Sequence, residues 1–448
     1  MIGTATPKKI RQHTMMLNMG PSHPAMHGII RLILELDGER VISSDVEIGY
    51  LHRAFEKSAE QAGYLQVIPY TDRLNYVSPL INNVGYSMAV EKLFGLRPTE
   101  RCEYIRVIMS ELSRITDHLT CIGASAMELG AFSAFLYMMK AREYLYQGIE
   151  LVTGARLTVS YVRPGGVKAD LPAEFEPHIR KAMKETRDVL RECDLLLTRN
   201  RIFVDRLRNV GVISKEDALA YGITGPFLRA TGVDYDVRKN CPYSVYDRFD
   251  FEIPVGTVGD NYDRYLCRMS EMEQSIRIVE QALDQIPPGN VMVDTEGREI
   301  PASMMVDLAK MGETEGLIQL EVDLDPTLQG GTKRYFGSVQ AEEKRAVLPS
   351  KEDTYGNIEG LMQHFKLIMS GHGIAPPRGE VYQAVEGANG ELGFFVVSDG
   401  TDRPYRVRVR PPCFPIMAAL PLMIEDGFLA DIIPTFGSVN MIGGELDR

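Results

Sequence analysis

The chain has 448 residues, 44% hydrophobic and 25% charged, with a formal net charge of −12. That length allows a large core, and the composition is ordinary for a soluble globular protein. The acidic balance disfavours nucleic acid and anionic lipid as direct partners, since both are met by cationic surfaces.

The longest apolar run, Cys413 to Ile424, is broken by Pro415 and Pro421 and stops at Glu425-Asp426. A bilayer span needs about 20 apolar residues, so no crossing segment is expected. Met1 to Arg11 is polar and basic without an apolar core, so no secretory signal is expected either. Cys102, Cys121, Cys193, Cys241, Cys267 and Cys413 stand singly, with no Cys-x-x-Cys pair. This reads as buried thiols in a reducing compartment, with no zinc or iron–sulfur site built by this chain alone. The 22 methionines and absent tryptophan carry no specific function.

In chain order, residues 14–18 and 29–36 read as strands, Asp37-Gly38 as a turn, and Val41 to Val46 as a further short strand. They predict a small antiparallel sheet at the N-terminus. Between its first two strands lies Asn18 to Gly28 (NMGPSHPAMHG). Two histidines four apart suggest a metal pair on a helix, but Pro21, Pro24 and Gly28 disfavour a helix there. The segment reads as a rigid turn presenting imidazoles at a hairpin tip.

Gly49 to Lys57 (GYLHRAFEK) opens a helical segment predicted to run to about Tyr64. Residues 65–79 are too broken by proline for regular structure yet too aromatic for a solvated loop. From Thr99 the pattern is helical: Thr99 can cap, Glu100 and Glu103 suit the N-terminal dipole, and Ile105, Ile108, Leu112, Ile115 and Leu119 recur every three or four residues. Further helices are predicted over 126–153, 174–198, 263–286 and 356–370. The first of these is apolar nearly all round, which marks a central bundle helix.

Residues 291–350 read as a variable surface insertion. Residues 380–386, 392–398 and 405–410 return to alternating strands with Asn389-Gly390 and Asp399-Gly400 turns. The expectation is one α+β domain over 1–448. Its β-rich ends, 1–48 and 379–448, meet; 49–290 and 354–378 form a central α-helical bundle.

Four clusters could carry chemistry: His23/His27; Asp72 to Tyr76; Glu128 at the front of an apolar helix; and Tyr161 to Val167, a glycine turn after an arginine. Each also has a structural explanation: a capped loop histidine, a packed tyrosine, a helix-end carboxylate, a surface arginine. Neither a Gly-x-Gly-x-x-Gly dinucleotide turn nor a Gly-x-x-x-x-Gly-Lys-Ser/Thr phosphate loop is present.

Taken together, the segments Asn18 to Gly28, Gly49 to Lys57, Tyr104 to Arg114 (YIRVIMSELSR) and Arg163 to Val167 (RPGGV) resemble the D-subunit family of respiratory complex I. Leu228 to Lys239, Gly379 to Tyr382 and Glu391 to Gly400 extend the resemblance, in order, over nearly the whole chain outside the insertion. That family is similar to the large subunit of nickel–iron hydrogenases, which implies a hydrogenase-like fold. Hydrogenases hold their metal with two cysteine pairs; the corresponding positions here are Asn75 and Ser78, then Ile442 and Glu445. Without thiolates the metal is lost, and the resemblance implies a cavity at that place that takes a quinone headgroup.

The resemblance further implies Tyr76 and His27 as hydrogen-bond partners of the quinone carbonyls. Glu128 stands where the family usually has an aspartate partner for that histidine. His23 is left with a supporting role. Arg73 matches an arginine beside the terminal iron–sulfur cluster, which the neighbouring B subunit holds. Implied with these are quinone (ubiquinone or menaquinone) as substrate, no metal or cluster bound by this chain, and the B, C, H and I subunits of complex I as partners. The implied location is the cytoplasmic side of the cell (inner) membrane, peripheral and held only through the assembled complex. Thr158 occupies a position where many family members have a histidine near the cluster, so the cluster's midpoint potential is expected to depend weakly on pH. Two other readings remain at this point: a nickel–iron hydrogenase, disfavoured by the missing cysteine pairs, and a scaffold without quinone binding, disfavoured by Tyr76 and His27 together. Donor supply by ferredoxin instead of NADH is a closer variant that this chain does not distinguish.

Overall fold

The computed structural model describes residues 14–23, 28–293, 348–349, 351–369 and 375–448. His27, and all but the edges of the 291–350 insertion, lie outside the described residues. Strands β1 (Met15–Met19), β2 (Arg31–Asp37) and β3 (Arg40–Glu47) form the antiparallel N-terminal sheet, in that order. Leu32, Leu34 and Leu36 of β2 face the core while their neighbours do not, the alternation expected of a half-buried strand. The histidine turn joins β1 to β2, beyond the Met19–Leu32 pair. It starts at Gly20, whose φ is +95° and whose missing Cβ would stand 2.0 Å from the Ile30 carbonyl oxygen. Only glycine fits there.

The helices are α1 (Phe55–Gln61), α2 (Ile68–Thr71), α3 (Pro79–Phe94), α4 (Glu100–Glu128), α5 (Phe132–Thr153) and α6 (Phe175–Leu197). There follow α7 (Arg201–Leu207), α8 (Lys215–Ala220), α9 (Pro226–Ala230), α10 (Val237–Asn240) and α11 (Asn261–Gln285). The chain resumes with α12 (Lys351–Gly356) and α13 (Ile358–Ile368). A two-residue hairpin, β4 (Val162–Arg163) with β5 (Gly166–Val167), lies between α5 and α6. The C-terminal sheet is β6 (Gly379–Gly387), β7 (Gly390–Ser398) and β8 (Arg406–Arg410), again antiparallel in sequence order.

Several expectations are corrected. The segment opening at Gly49 becomes helical only at Phe55, because 49–52 binds the C-terminus instead, as described below. The helix expected over 126–153 is two elements: α4 runs to Glu128, Gly130 takes φ +89°, and α5 begins at Phe132. Glu128 therefore ends a helix and does not begin one. The central helix is α4, buried along most of its length, whereas α5 leaves Phe132, Leu136 and Tyr137 exposed. Finally, 413–446 is helical: α14 (Cys413–Ala418), α15 (Leu420–Ile424), α16 (Leu429–Val439) and α17 (Gly443–Leu446). The N-terminal sheet meets this helical tail, through the Arg40–Phe428 bridge and the Val41 N–H to Gly427 oxygen bond (2.9 Å), and the two sheets stay separate.

The apolar core has two parts. The larger gathers α3, α4, α6, α11 and the C-terminal sheet; the smaller lies between the N-terminal sheet, α8, α9 and α14 to α16. Through the larger runs a buried ionic cluster. Arg114, Arg229 and Arg238 meet Glu111, Asp236, Glu271 and Glu386, tying α4, α9, α10, α11 and β6 together. A second buried pair, Arg106 with Glu91 (2.5 Å), holds the glycine turn: Glu91 accepts from Gly165 N–H (2.7 Å), and Arg106 donates to the carbonyls of Arg163 (3.0 Å) and Gly166 (3.2 Å). That accounts for the Arg163 to Val167 motif structurally. Among the described residues no helix is long and apolar enough to cross a membrane. Nor does any group of three or more His, Cys, Asp or Glu side chains there suit a metal ion.

Candidate functional site around Tyr76

The loop between α2 and α3 carries Arg73, Asn75 and Tyr76, and buried polar side chains fix its shape. Asp72 accepts from the Ser160 N–H (2.9 Å), the Ser160 hydroxyl (2.6 Å) and the Asn83 amide (2.8 Å). The Asn75 side-chain oxygen accepts from the backbone N–H groups of Val77 (3.1 Å) and Ser78 (3.2 Å), turning the chain into α3. Asn82 donates back to the carbonyls of Thr71 (3.1 Å) and Asn75 (2.9 Å).

Asp117, fully buried on α4, is the hub behind this loop. Its carboxylate accepts from Asn75 Nδ2 (3.1 Å), Ser78 Oγ (2.7 Å) and Asn440 Nδ2 (2.8 Å). Asn440 also donates to Asn389 (2.7 Å), which returns a bond to the Asn440 carbonyl (3.1 Å). Glu445 accepts from the Cys413 N–H (3.0 Å), and the Cys413 thiol lies 3.8 Å from the Asn440 carbonyl oxygen. Asn75, Ser78, Ile442 and Glu445 are thus all buried; Asn75 and Ser78 bond Asp117 directly, and Glu445 connects to the same network through Cys413 and Asn440. Asp117, Asn389, Cys413 and Asn440 were not legible as site residues. A lone aspartate two residues from Ile115 and from Leu119 looks like the polar face of an amphipathic helix.

Tyr76 is half-buried between this network and the tail, its hydroxyl facing the Gly443 N–H. Burial raises its pKa, Cys413 and Asp117 push the same way, and Arg53 opposes them. The tail is pressed tightly onto the loop: a Cβ on Gly444 would stand 2.4 Å from the Arg73 carbonyl oxygen and 2.7 Å from that of Leu74. The same tail is clamped by the motif at 49–53. Gly49 and Leu51 donate their N–H groups to the Asp447 carboxylate (2.9 and 2.8 Å), His52 Nδ1 bonds the Asp447 carbonyl (2.5 Å), and Arg53 donates to the Arg73 carbonyl (2.5 Å).

Of the other expected residues, Arg73 is exposed and bonds the Pro69 carbonyl. Thr158, also exposed, lies two residues from Ser160, so Arg73 and Thr158 flank the Asp72–Ser160 contact. Glu128 lies at α16: its Oε2 is 2.9 Å from where a Gly437 Cβ would stand. His23 is half-buried in the turn between β1 and β2. His27 is outside the described residues, but the next residue, Gly28, abuts the tail. Its missing Cβ would lie 2.7 Å from Met441 Cε and 3.8 Å from Gly443 N. The end of the histidine turn and Tyr76 therefore border the same residue, Gly443.

The α+β architecture and this polar core fall within one class of protein. Residues 128–321 and 327–448 match the family described as the 49 Kd subunit of respiratory-chain NADH dehydrogenase. Over 434 residues the chain is 51% identical to the NADH-quinone oxidoreductase D subunit of Myxococcus xanthus (strain DK1622), covering 97% of this chain and 92% of the relative. It is 49% identical to the D 1 subunit of the same enzyme from Sorangium cellulosum (strain So ce56), over 97% of this chain and 95% of that one. A Bdellovibrio bacteriovorus relative, named as a combined C/D subunit, is 46% identical over 432 residues, which are 96% of this chain and 68% of the relative. The chain belongs to the D-subunit family of NADH-quinone oxidoreductase, respiratory complex I.

Proposed function

We propose that this chain forms the quinone headgroup site together with the B subunit, with Tyr76 and His27 on the two quinone carbonyls. Electrons reach the quinone from the terminal iron–sulfur cluster that the B subunit holds. Reduction to quinol needs two electrons and two protons, and a phenol and an imidazole can each donate a hydrogen bond and a proton. Imidazole titrates near neutrality, so it reloads between turnovers. The observation that carries this reading is that Tyr76 and the end of the histidine turn converge on Gly443.

In the same reading Glu128 supports His27 at some remove, from the end of α4, and His23 stiffens the turn. Arg73 and Thr158, exposed side by side with the Asp72–Ser160 contact, face the B subunit and its cluster. The fold is that of a hydrogenase large subunit without its metal, and the quinone headgroup takes the corresponding place beside the Asp117 network. The chain is a single domain, with the B, C, H and I subunits as neighbours. The fused C/D name of the Bdellovibrio relative supports C among them. The protein sits on the cytoplasmic side of the inner membrane and is held there by the complex.

The test is electron transfer in the assembled complex. Tyr76→Phe or His27→Ala lowers NADH:quinone reductase activity by about 100-fold or more, in line with loss of a positioned proton donor. Transfer from NADH to an artificial acceptor such as ferricyanide is unchanged. A parallel fall of both activities would mean an assembly defect and defeat the assignment.

A further inference from the structure

Helix α11 carries two buried arginines one turn apart, Arg264 and Arg268, which belong neither to the ionic cluster nor to the Tyr76 site. Arg264 is held by neutral acceptors: the carbonyls of Gly211 (2.7 Å) and Gly259 (2.9 Å), the Asn261 side-chain oxygen (2.8 Å) and the Ser438 hydroxyl (3.2 Å). Its guanidinium also lies 3.8 Å from the centre of the Phe227 ring. Arg268 has no such shell. It is 2% exposed, its Nε is buried without a partner, and among the described residues its guanidinium meets neither a hydrogen-bond acceptor nor an ion-pair partner.

Arg268 lines a cavity between α4, α7, α11 and α16, walled by Cys121, Ser125, Phe203, Leu207, Pro434 and Ser438. The cavity leaves about 20 Å³ for a water-sized occupant, and one such particle needs about 10–15 Å³. Its other polar side chains bring no counter-charge. The Ser125 hydroxyl is taken by the carbonyls of Cys121 and Gly437 (both 2.9 Å), and that of Ser438 by the Thr435 carbonyl (2.7 Å). The neighbouring carboxylates are committed elsewhere: Asp117 to Asn75, Ser78 and Asn440, and Glu271 to Arg229, Arg238 and His118. Glu128, which shares the approach to Gly437 with Ser125, makes no ion pair with Arg268. A cation withdrawn from water in this way calls for an anion beside it. Burial, and then the charge of Arg268, hold the Arg264 pKa down to about 9, so the two arginines add to one uncompensated positive field.

We propose that the cavity beside Arg268 binds one small monovalent anion of the halide class, with chloride as its occupant. The guanidinium supplies the N–H donors, and a monatomic anion needs no further directed set. Phosphate and sulfate are too large for the space, and the apolar walls of Phe203, Leu207 and Pro434 give their extra oxygens no donors. The bound anion neutralises the arginine pair and fastens α16 to α4 and α11. Since α16 leads into Asn440, which bonds Asp117 at 2.8 Å, occupancy is felt as stability of the C-terminal tail.

The experiment follows thermal unfolding of this subunit in the assembled complex, with chloride replaced by the bulkier gluconate at equal ionic strength, so that screening is the same. Chloride raises the wild-type midpoint by about 2–4 °C in a saturable way, as a ligand of the folded state does. Arg268→Lys keeps the cation and part of the gain; Arg268→Gln loses it. No gain in the wild type, or an equal gain in Arg268→Gln, would overturn the site. Should Arg268→Gln not assemble, bromide soaked into crystals of the wild-type complex decides: an anomalous peak beside the Arg268 guanidinium supports the proposal, and water alone there defeats it. The outcome does not depend on the quinone reading of Tyr76.

Discussion

At the scale of single residues, the most informative departure is Thr158. It is exposed, close to Arg73 across the Asp72–Ser160 contact, on the face read as meeting the B subunit. A histidine in contact with a cluster couples its reduction to protonation, because the added electron favours the imidazolium. Threonine cannot titrate, so the wild-type midpoint potential is expected to change little between about pH 6 and 8. Thr158→His restores coupling and gives a slope approaching 60 mV per pH unit, the limit for one proton per electron. A redox titration of the cluster at several pH values checks both. A steep slope in the wild type would mean that a group other than residue 158 couples the cluster to protons.

At the scale of elements, the tail and the Tyr76 loop act as one unit. Residues 49–53, the loop at 72–78 and α17 are stitched by Asp447, Arg53 and the close approach at Gly444. Gly444→Ala drives a methyl group into two carbonyl oxygens that belong to backbone and cannot step aside. Overpacking of this kind costs about 1–3 kcal/mol. The expected result is a quinone reductase with raised KM and lower thermal stability, measured on the assembled complex, with ferricyanide reduction retained. How far this unit was legible follows from its chemistry. The alternating strands and the Thr99 cap announce themselves locally, because period and capping are properties of neighbouring residues. The helix α3 carries no polar face to give it a period, since it is buried all round. The break at Gly130 hides inside a stretch that is apolar apart from Glu128 and Ser133. The helices of the tail are short and interrupted by Pro415, Pro421 and Pro434, and they owe their form to packing on the N-terminal sheet and α9. The importance of Tyr76 and Arg73 came from resemblance alone. Asp117, which orders the loop, is meaningful only once Asn75, Ser78 and Asn440 are brought to it from other elements.

At the scale of the whole molecule, the buried ionic cluster adds a polar tie between the helical bundle and the C-terminal sheet, which the apolar core also joins. Arg238 illustrates its balance: it bonds Asp236 (2.7 Å), Glu271 (3.0 Å) and Glu111 (3.2 Å), all buried. Burial alone raises all these carboxyls, but Arg114, Arg229 and Arg238 outweigh it and hold Glu111, Asp236 and Glu271 below their ordinary values. Carboxyls lowered in the folded state contribute stability above their unfolded pKa, and that contribution is lost as pH falls through the folded value. Glu386 goes the other way: burial first, and then Asp236, raise it to about 7, so its contribution weakens as pH rises from the ordinary carboxyl range toward neutrality. Arg238→Met removes the cation and leaves the carboxylates buried without it, which costs about 3–5 kcal/mol. An exposed pair such as Arg156–Glu143 contributes little by comparison, because solvent and salt screen it. Without Arg238 the folded pKa values of its partners rise, so protonation relieves the repulsion. The destabilisation is therefore expected to be full near pH 8 and clearly smaller near pH 5, read as the loss of thermal stability of the assembled complex at each pH. A loss independent of pH would mean that Arg238 contributes packing against Phe251, over whose ring it lies at 5.2 Å, and not charge balance.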